Sequence, residues 1–217
     1  MIRADLHIHT VYSCDSNTSL QRLIARCREV GINCVAITDH NTIAGAVEMK
    51  RLAPFRVIVG EEIQTLTGEI IGYFLSEEIP KGLPAEETAR RIKEQGGVVC
   101  IPHPFDRMRL STLRRRSLET LLPYIDVVEV LNSRLLLRRQ CAMAQRFAQA
   151  HGLPSSAGSD AHTTFEVGNA YVEMPEFNDK DQFLLALAQG RVGGRRSAPW
   201  FRLWSDWARL SNILKRP

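Results

Sequence analysis

The chain lacks the features that mark several large classes of protein. Its five cysteines are odd in number and include no Cys-x-x-Cys pair, which argues against both a disulfide framework and a zinc ribbon. No stretch approaches the ~20 apolar residues that span a bilayer, so we expect no membrane association. The sequence shows no apolar signal region, and these absences together predict a cytoplasmic protein.

Neither sign of charge is in large excess. The 28 basic residues exceed the 24 acidic residues only slightly, and the formal net charge of +4 favours anionic substrates without requiring nucleic acid. The run Arg114-Arg115-Arg116 has no aromatic residues interleaved with it, so we predict no stable complex with DNA. With 44% hydrophobic residues among 217, the chain can form one sizeable core.

Six histidines are present, and five of them occur in four short polar segments: His7-Ile8-His9, Asp39-His40, Pro102-His103-Pro104 and Asp160-Ala161-His162. Side chains two positions apart on a strand point the same way, so His7 and His9 can bind one ion together. Imidazole nitrogens and carboxylate oxygens suit zinc, iron or manganese. The pattern predicts a metal site.

Segments with strand and helix patterns alternate along the chain. The predicted strands are 2–9, 33–38, 56–59, 98–101, 127–131, 154–158 and 170–174. The predicted helices are 19–30, 43–53, 84–95, 117–122, 137–151 and 179–189, while 63–75 reads as strand, turn and strand. Because successive strand ends carry the polar segments, we expect a parallel α/β fold that closes, or nearly closes, into a barrel.

The pattern changes near Arg195, where we place a domain boundary. Residues 1–194 form the predicted main domain, and residues 195–217 form a basic, tryptophan-rich appendage. As a helix, this appendage would present an apolar face that contains Trp200, Trp204 and Trp207. We expect that face to dock on the barrel or on a second subunit, which makes the C-terminal helix a candidate oligomer contact.

Five motifs occur in order between Asp5 and His162: DLHIHT, YSCDS, ITDHN, IPHPF and GSDAH. In these motifs the chain resembles the PHP family, the polymerase and histidinol phosphatase domains. The resemblance implies a distorted (β/α)7 barrel with two or three divalent metal ions at the carboxyl ends of its strands. It also implies phosphoester hydrolysis as the usual activity of such a domain.

The resemblance implies eight metal ligands: His7, His9, Asp15, His40, Glu62, His103, Asp160 and His162. One ion is expected to be bound by four of them: His7, His9, Glu62 and Asp160. Glu62 would bridge toward a second ion that His103 also binds. A third ion is expected at Asp15, His40 and His162.

Two points stay open at the level of sequence. Glu61 competes with Glu62 for the bridging position, and Glu62 is preferred because it matches the family's Gly-x-Glu pattern. Related trinuclear sites often supply a further histidine or cysteine just after the strand that holds Glu129, and residues 130–140 contain neither. Glu129 and Asn132 are the candidates to replace it.

The expected function is a metal-dependent hydrolase that uses a metal-activated hydroxide on a phosphate monoester or a terminal phosphodiester. Asp160 and His162 are the candidates for proton transfer, and Arg195 and Arg196 are candidates to bind phosphate at the site mouth. The expected substrate is a small phosphorylated molecule or a nucleic-acid 5′ end. The alternatives are a catalytically idle PHP domain with a structural or partner-binding role, and an amidohydrolase that acts on C–N bonds.

Overall fold

The computed structural model describes residues 1–106, 108–109, 111–198 and 200, and only the backbone of Arg115. The predicted C-terminal helix, with Trp204 and Trp207, lies outside the described residues. None of the helices among the described residues is long and apolar enough to cross a membrane.

Strands and helices alternate over most of the described chain. The strands are β1 (Ile2–Ile8), β2 (Cys34–Ile37), β3 (Arg56–Thr65), β4 (Gly68–Tyr73), β5 (Val98–Ile101), β6 (Val127–Asn132), β7 (Ser155–Gly158), β8 (Ala170–Met174) and β9 (Arg191–Gly194). The helices are α1 (Leu20–Val30), α2 (Ala44–Leu52), α3 (Ala85–Glu94), α4 (Arg115–Leu121), α5 (Arg138–Ala150) and α6 (Lys180–Ala188).

Local sequence explains where several helices begin and end. Ser19 caps α1 by accepting a hydrogen bond from the Arg22 amide, and Gly31 ends that helix in the left-handed conformation at φ 72°. Asp179 caps α6 in the same way by accepting from the Gln182 amide at 2.8 Å. These caps satisfy amide groups that have no partner within the helix.

All nine strands form one sheet in the order β7-β6-β5-β4-β3-β2-β1-β8-β9. Strand β7 also returns to β1, because the Asp160 amide donates to the His7 carbonyl at 2.7 Å and the His9 amide donates to the Ala161 carbonyl at 3.0 Å. The sheet is therefore a nearly closed barrel, and the predicted fold class is confirmed.

The chain reversal predicted within residues 63–75 is present, whereas the expectation of a parallel sheet is wrong for β8. Strand β4 runs antiparallel to both β3 and β5, because a tight turn between Thr65 and Gly68 reverses the chain. Strand β8 is antiparallel to β1, and β9 pairs antiparallel with β8. The sequence did not predict β9, since Arg191–Gly194 ends in two glycines and lacks an apolar alternation. Six α-helices, fewer than seven, occur among the described residues.

Apolar side chains pack on both sides of the strands. One cluster joins the strands to helices α1 to α5, and a second joins β1, β2, β4 and β8 to α6. In the second cluster, Phe183 of α6 contacts the rings of Tyr73 and Phe177. The Tyr73 hydroxyl donates to the Leu6 carbonyl at 2.9 Å, so this buried phenol is satisfied and braces β1.

The barrel closes through a close approach at Gly158. A methyl group at Gly158 would lie 2.2 Å from His7 Cβ and 2.7 Å from the His7 amide nitrogen. Gly158→Ala is therefore expected to force β7 from β1 and to lower the free energy of unfolding by about 2 kcal/mol, measured by urea denaturation.

Gly82→Ala is the control, because φ at Gly82 is +78° and a methyl group there meets nothing within 4 Å. Its free energy of unfolding should fall by only ~1 kcal/mol, the cost of placing a residue with a side chain in the left-handed conformation. Equal losses in the two variants would show that backbone conformation, and not the close approach to His7, determines the effect.

Candidate metal centre

The polar segments lie where strands end, at one edge of the barrel. His40 and Glu62 form a parallel bridge just beyond β2 and within β3, and Ile8 bridges Ala161 beyond β7. His103 and Asp160 have positive φ values of 31° and 52°, a conformation that costs energy for residues with a side chain. Strain of this kind at two candidate ligands indicates that the fold holds them for function.

Glu62 lies at the middle of the site. Its Oε2 atom is 3.4 Å from His7 Nε2, 3.3 Å from His9 Nε2 and 3.3 Å from His40 Nδ1. These contacts lack hydrogen-bond geometry, and Oε2 is a buried acceptor without a hydrogen-bond partner. Three imidazoles on one carboxylate oxygen are the arrangement expected around a bridging metal ligand.

A first cluster of donor atoms combines His7, His9 and Asp160. The two Nε2 atoms of the histidines are 3.1 Å apart, and Asp160 Oδ1 lies 3.8 Å from His7 Nε2 and 3.5 Å from His9 Nε2. Bonds of ~2.0–2.2 Å to one ion place neighbouring ligand atoms at about these separations. Asp160 Oδ1 is a second buried acceptor without a hydrogen-bond partner.

A second cluster combines His7, Glu62 and His103. His103 Nε2 is 3.1 Å from Glu62 Oε1 and 3.8 Å from Oε2 of Glu69 on β4. Sequence reasoning missed Glu69, although a carboxylate in the otherwise apolar and glycine-rich strand GEIIGY is a signal for such a role. Glu69 also groups with His40 and Glu62 as a possible ligand set.

A third cluster combines His9, His40 and His162. Asp15 Oδ2 lies 3.4 Å from His40 Nε2 and 3.2 Å from His162 Nε2. The side chains of His40 and Asp15 are 20% and 17% exposed, whereas those of His9 and Glu62 are fully buried. This side of the site is therefore the one that solvent reaches.

The two adjacent glutamates have different surroundings. Glu61 Oε2 accepts a hydrogen bond from the Ile79 amide at 3.0 Å, away from the imidazoles that surround Glu62. Burial raises the pKa of Glu61 to about 7, against the lowering effect of that hydrogen bond. The geometry therefore favours Glu62 as the bridging residue, because neighbours on a strand point to opposite faces.

Glu129 and Asn132 stand behind the candidate ligands. Glu129 Oε1 lies 3.0 Å from His7 Nδ1, while its Oε2 accepts from the His103 amide at 2.8 Å and from Asn132 Nδ2 at 3.0 Å. Asn132 also donates to Asp160 Oδ2 at 3.1 Å. A carboxylate on Nδ1 keeps the proton there and leaves Nε2 free to bind a metal.

Asp39 supports the site in a less direct way. It accepts hydrogen bonds from the Thr10 amide at 2.6 Å and from the Ser13 hydroxyl at 3.1 Å. The Ser13 oxygen lies 3.2 Å from His9 Nδ1 and accepts from the His40 amide at 2.9 Å. Asp39 thus positions two histidines through Ser13.

Two arginines reach the site from loops that follow β5 and β6. Arg134 Nη1 lies 2.9 Å from His162 Nδ1, and its Nε lies 3.0 Å from Glu166 Oε1. Arg109 pairs with Asp160 Oδ2 through Nη2. No spacing in the sequence distinguishes Arg109 from the other arginines of its arginine-rich stretch.

Arg195 and Arg196 follow β9. Arg195 donates from Nε to Asn169 Oδ1 at 3.2 Å, and Arg196 donates from Nη1 to the Leu136 carbonyl. Ser197 then donates to the Ser133 carbonyl at 2.7 Å, next to the strand end that holds Asn132. The role of both arginines in phosphate binding stays a prediction.

The charges of the buried groups depend on one another. Burial alone would lower the pKa of His7, but Glu62, Glu129 and Asp160 outweigh it and raise that pKa well above its ordinary value. Burial alone would raise the pKa of Glu62, but His7 and His40 hold it well below its ordinary value. The metal-free site therefore neutralises its carboxylates with imidazolium groups.

The residues fit a group of divalent cations. A buried acceptor without a partner costs about 1–3 kcal/mol, and a cation between the clusters would satisfy both Glu62 Oε2 and Asp160 Oδ1. The donor set of imidazoles and carboxylates suits manganese, zinc or iron. Because the clusters share His7, His9, His40 and Glu62, any two ions would lie close together.

Replacing each glutamate separates their roles. Glu62→Gln should lower the manganese content of the purified, manganese-loaded protein by at least one ion per chain, because the amide cannot supply the bridging charge. Glu61→Gln is the matched control and should keep the wild-type content. The measurement is elemental analysis after dialysis, and a normal metal content in Glu62→Gln would contradict the assignment.

Metal binding should release protons. Burial lowers the pKa of His40, but Glu62 and Asp15 outweigh it and raise that pKa to about 10. His40 is then protonated at neutral pH without metal, so manganese affinity should rise with pH until about pH 10. Calorimetry in buffers of different ionisation enthalpy should detect this proton, and His40→Gln should release fewer protons than the wild type.

Two family models match the chain. The PHP domain matches residues 5–132, and the PHP-associated model matches residues 138–192. An uncharacterized protein of Methanocaldococcus jannaschii, MJ0417, is 37% identical over 180 residues, which cover 82% of this chain and 72% of that protein.

Solved structures share the fold at low sequence identity. A two-domain protein from Bacteroides vulgatus, described as containing a predicted PHP-like metal-dependent phosphoesterase, superposes with a TM-score of 0.65 at 17% identity, over 89% of this chain and 65% of that chain. An amidohydrolase from Chromobacterium violaceum, with sulfate bound and no metal, superposes with a TM-score of 0.59 at 17% identity, over 95% of this chain and 96% of that chain. Because the PHP domain model alone covers more than half of the sequence, the chain belongs to the PHP domain family.

Proposed function

We propose that the protein is a metal-dependent hydrolase of phosphate esters, acting on a phosphate monoester or a terminal phosphodiester. The observation that carries this proposal is the position of Glu62, whose Oε2 lies within 3.4 Å of nitrogens from His7, His9 and His40. One carboxylate that joins several donor clusters is the basis of a multinuclear centre.

Such a centre suits phosphoryl chemistry. When bound, neighbouring divalent ions lower the pKa of water and stabilise the charge of a phosphate during in-line displacement. The protein's own contribution is to hold the ligands rigidly, which Glu129, Asn132 and Ser13 do through the hydrogen bonds described above. The substrate we propose is a small phosphorylated molecule or a nucleic-acid 5′ end.

Asp160 and His162 are the proposed catalytic residues. Arg109 and Asn132 both bind Asp160 Oδ2, so its Oδ1 is left to face the cluster of His7 and His9. Burial lowers the pKa of His162 to about 4, with Arg134 adding to the effect and Asp15 opposing it. His162 is therefore a neutral imidazole at neutral pH, which is the form that binds a cation.

Hydrolysis of C–N bonds is the second candidate, favoured by the shared fold with an amidohydrolase. Enzymes of that class often hold their metals with a carboxylated lysine. The lysines among the described residues are exposed or half-buried: Lys50, Lys81, Lys93 and Lys180. Since none of these described lysines is buried, phosphoester chemistry is the better supported proposal.

The proposal predicts metal-dependent turnover of a phosphoester. Manganese-loaded protein should hydrolyse an aryl phosphate or a bis-aryl phosphate. His9→Ala and Asp160→Asn should each lower the rate of hydrolysis by more than ~100-fold, the loss that is typical when a residue behind a metal ligand is replaced. Steady-state kinetics measures this loss. Glu61→Gln is the control and should retain the wild-type rate.

The substrate panel should also include short RNA and an aryl anilide. Turnover of the anilide alone would replace the proposal by an amidohydrolase. A protein that binds manganese but turns over none of these compounds would support the idle PHP domain instead.

A further inference from the structure

A cavity of about 640 Å³ lies beside the candidate metal centre, between α4 and α5. Its wall is mainly apolar and includes Phe105, Leu113, Leu118, Leu122, Met143 and Phe147. Binding sites for small molecules are typically apolar clefts of ~300–1,000 Å³ with a few placed polar groups. The size and lining of this cavity fit that description.

The cavity and the metal centre share a wall. Residues 104–106 line the cavity and follow directly after His103. Arg109 also lines it, and the same guanidinium pairs with Asp160 Oδ2 at the metal centre. A molecule in the cavity would therefore contact the same Arg109 guanidinium that pairs with Asp160 at the metal centre.

The polar edge of this wall is fixed in place. Asp106 Oδ1 accepts from Gln140 Nε2 of α5 at 3.2 Å and from the Met108 amide at 3.0 Å. Asp106 Oδ2 lies 3.3 Å from Arg109 Nε. The Asp106 side chain is fully buried and the Arg109 side chain is 18% exposed, so Arg109 is held between Asp106 and Asp160.

Three aromatic rings contribute to the lining of the cavity. Phe105 and Phe147 pack edge to face with ring centres 6.0 Å apart, and His151 packs on Phe147 with ring centres 4.6 Å apart. Aromatic surfaces of this kind favour flat apolar groups, which pack on ring faces and edges. The positive charge of Arg109 lies at the end that meets the metal centre.

We propose that this cavity binds the alcohol part of the substrate, a ring-bearing apolar group, while its phosphate lies at the metal centre beside Arg109. The inference rests on the proposed phosphoester function and narrows it to esters of aromatic or similarly flat alcohols. It assigns Met143 and its neighbours to substrate selectivity, and Arg109 to the junction between the two parts of the substrate.

The test is calorimetric binding to the manganese-loaded full chain. The ligands are 1-naphthylphosphonate, methylphosphonate and 2-naphthol, none of which contains a hydrolysable ester. Naphthylphosphonate should bind at least ten times more tightly than methylphosphonate, and 2-naphthol should also bind. Arg109→Gln should weaken the binding of both phosphonates and leave the affinity for 2-naphthol unchanged.

Two tryptophan variants on the same helix locate the binding site. Met143→Trp fills the cavity, so it should abolish 2-naphthol binding and the preference for naphthylphosphonate. Gln149→Trp places the same side chain on an exposed position outside the cavity wall and should change neither. Elemental analysis should find the same manganese content in both variants.

The outcomes separate this inference from the function on which it rests. Equal affinity for the two phosphonates with no 2-naphthol binding would overturn the cavity assignment, as expected if another part of the chain or a second protein fills it. Retained binding in Met143→Trp would also overturn it. Binding of 2-naphthol without phosphonate binding or aryl phosphate turnover would instead overturn the phosphoester function. The cavity would then remain a binding site for flat apolar groups but not for the alcohol part of a phosphate ester.

Discussion

The buried charge of Glu62 is the constraint on which the rest of the site depends. A carboxylate removed from water is costly unless cations or hydrogen bonds surround it. Glu62 has no exposed surface, and its charge is balanced by imidazoles that arrive from β1, from the end of β2 and from the loop after β5. The barrel can bury this glutamate only when all of these segments are in place, so fold and site form together.

Closure of the barrel is what brings these segments together. Parallel pairing aligns the ends of β1, β2 and β3, and the return of β7 onto β1 brings Asp160 and His162 to the same edge. The contact between Gly158 and His7 is so close that only glycine fits, and Asp160 adopts a positive φ two residues later. The backbone is thus strained at the point where a candidate ligand enters the site.

Periodicity and strand-end motifs predicted the barrel, its helices and the histidines that gather at the strand ends, because these signals lie within a few neighbouring residues. The strand, turn and strand over residues 63–75 were predicted, but Glu69 and Arg109 were missed. No local pattern specifies that β4 lies between β3 and β5, or where the loop that carries Arg109 runs. For the same reason, Glu129 was a candidate ligand in the sequence and is a partner of His7 Nδ1 in the structure. A residue that acts on the site through a second side chain cannot be recognised from its spacing in the sequence.

The two arginines at the site connect its electrostatics to the substrate proposed above. Without metal, Arg109 and Arg134 face groups whose negative charge they help to balance, Asp160 and Glu166. Divalent cations at the clusters would add positive charge beside Asp160, while Asp106 and Glu166 would still pair with the two arginines. In so buried a site, the attraction between these cations and an anion would be strong. Under the proposed function, this charge would favour a dianion such as a phosphate ester over a neutral amide.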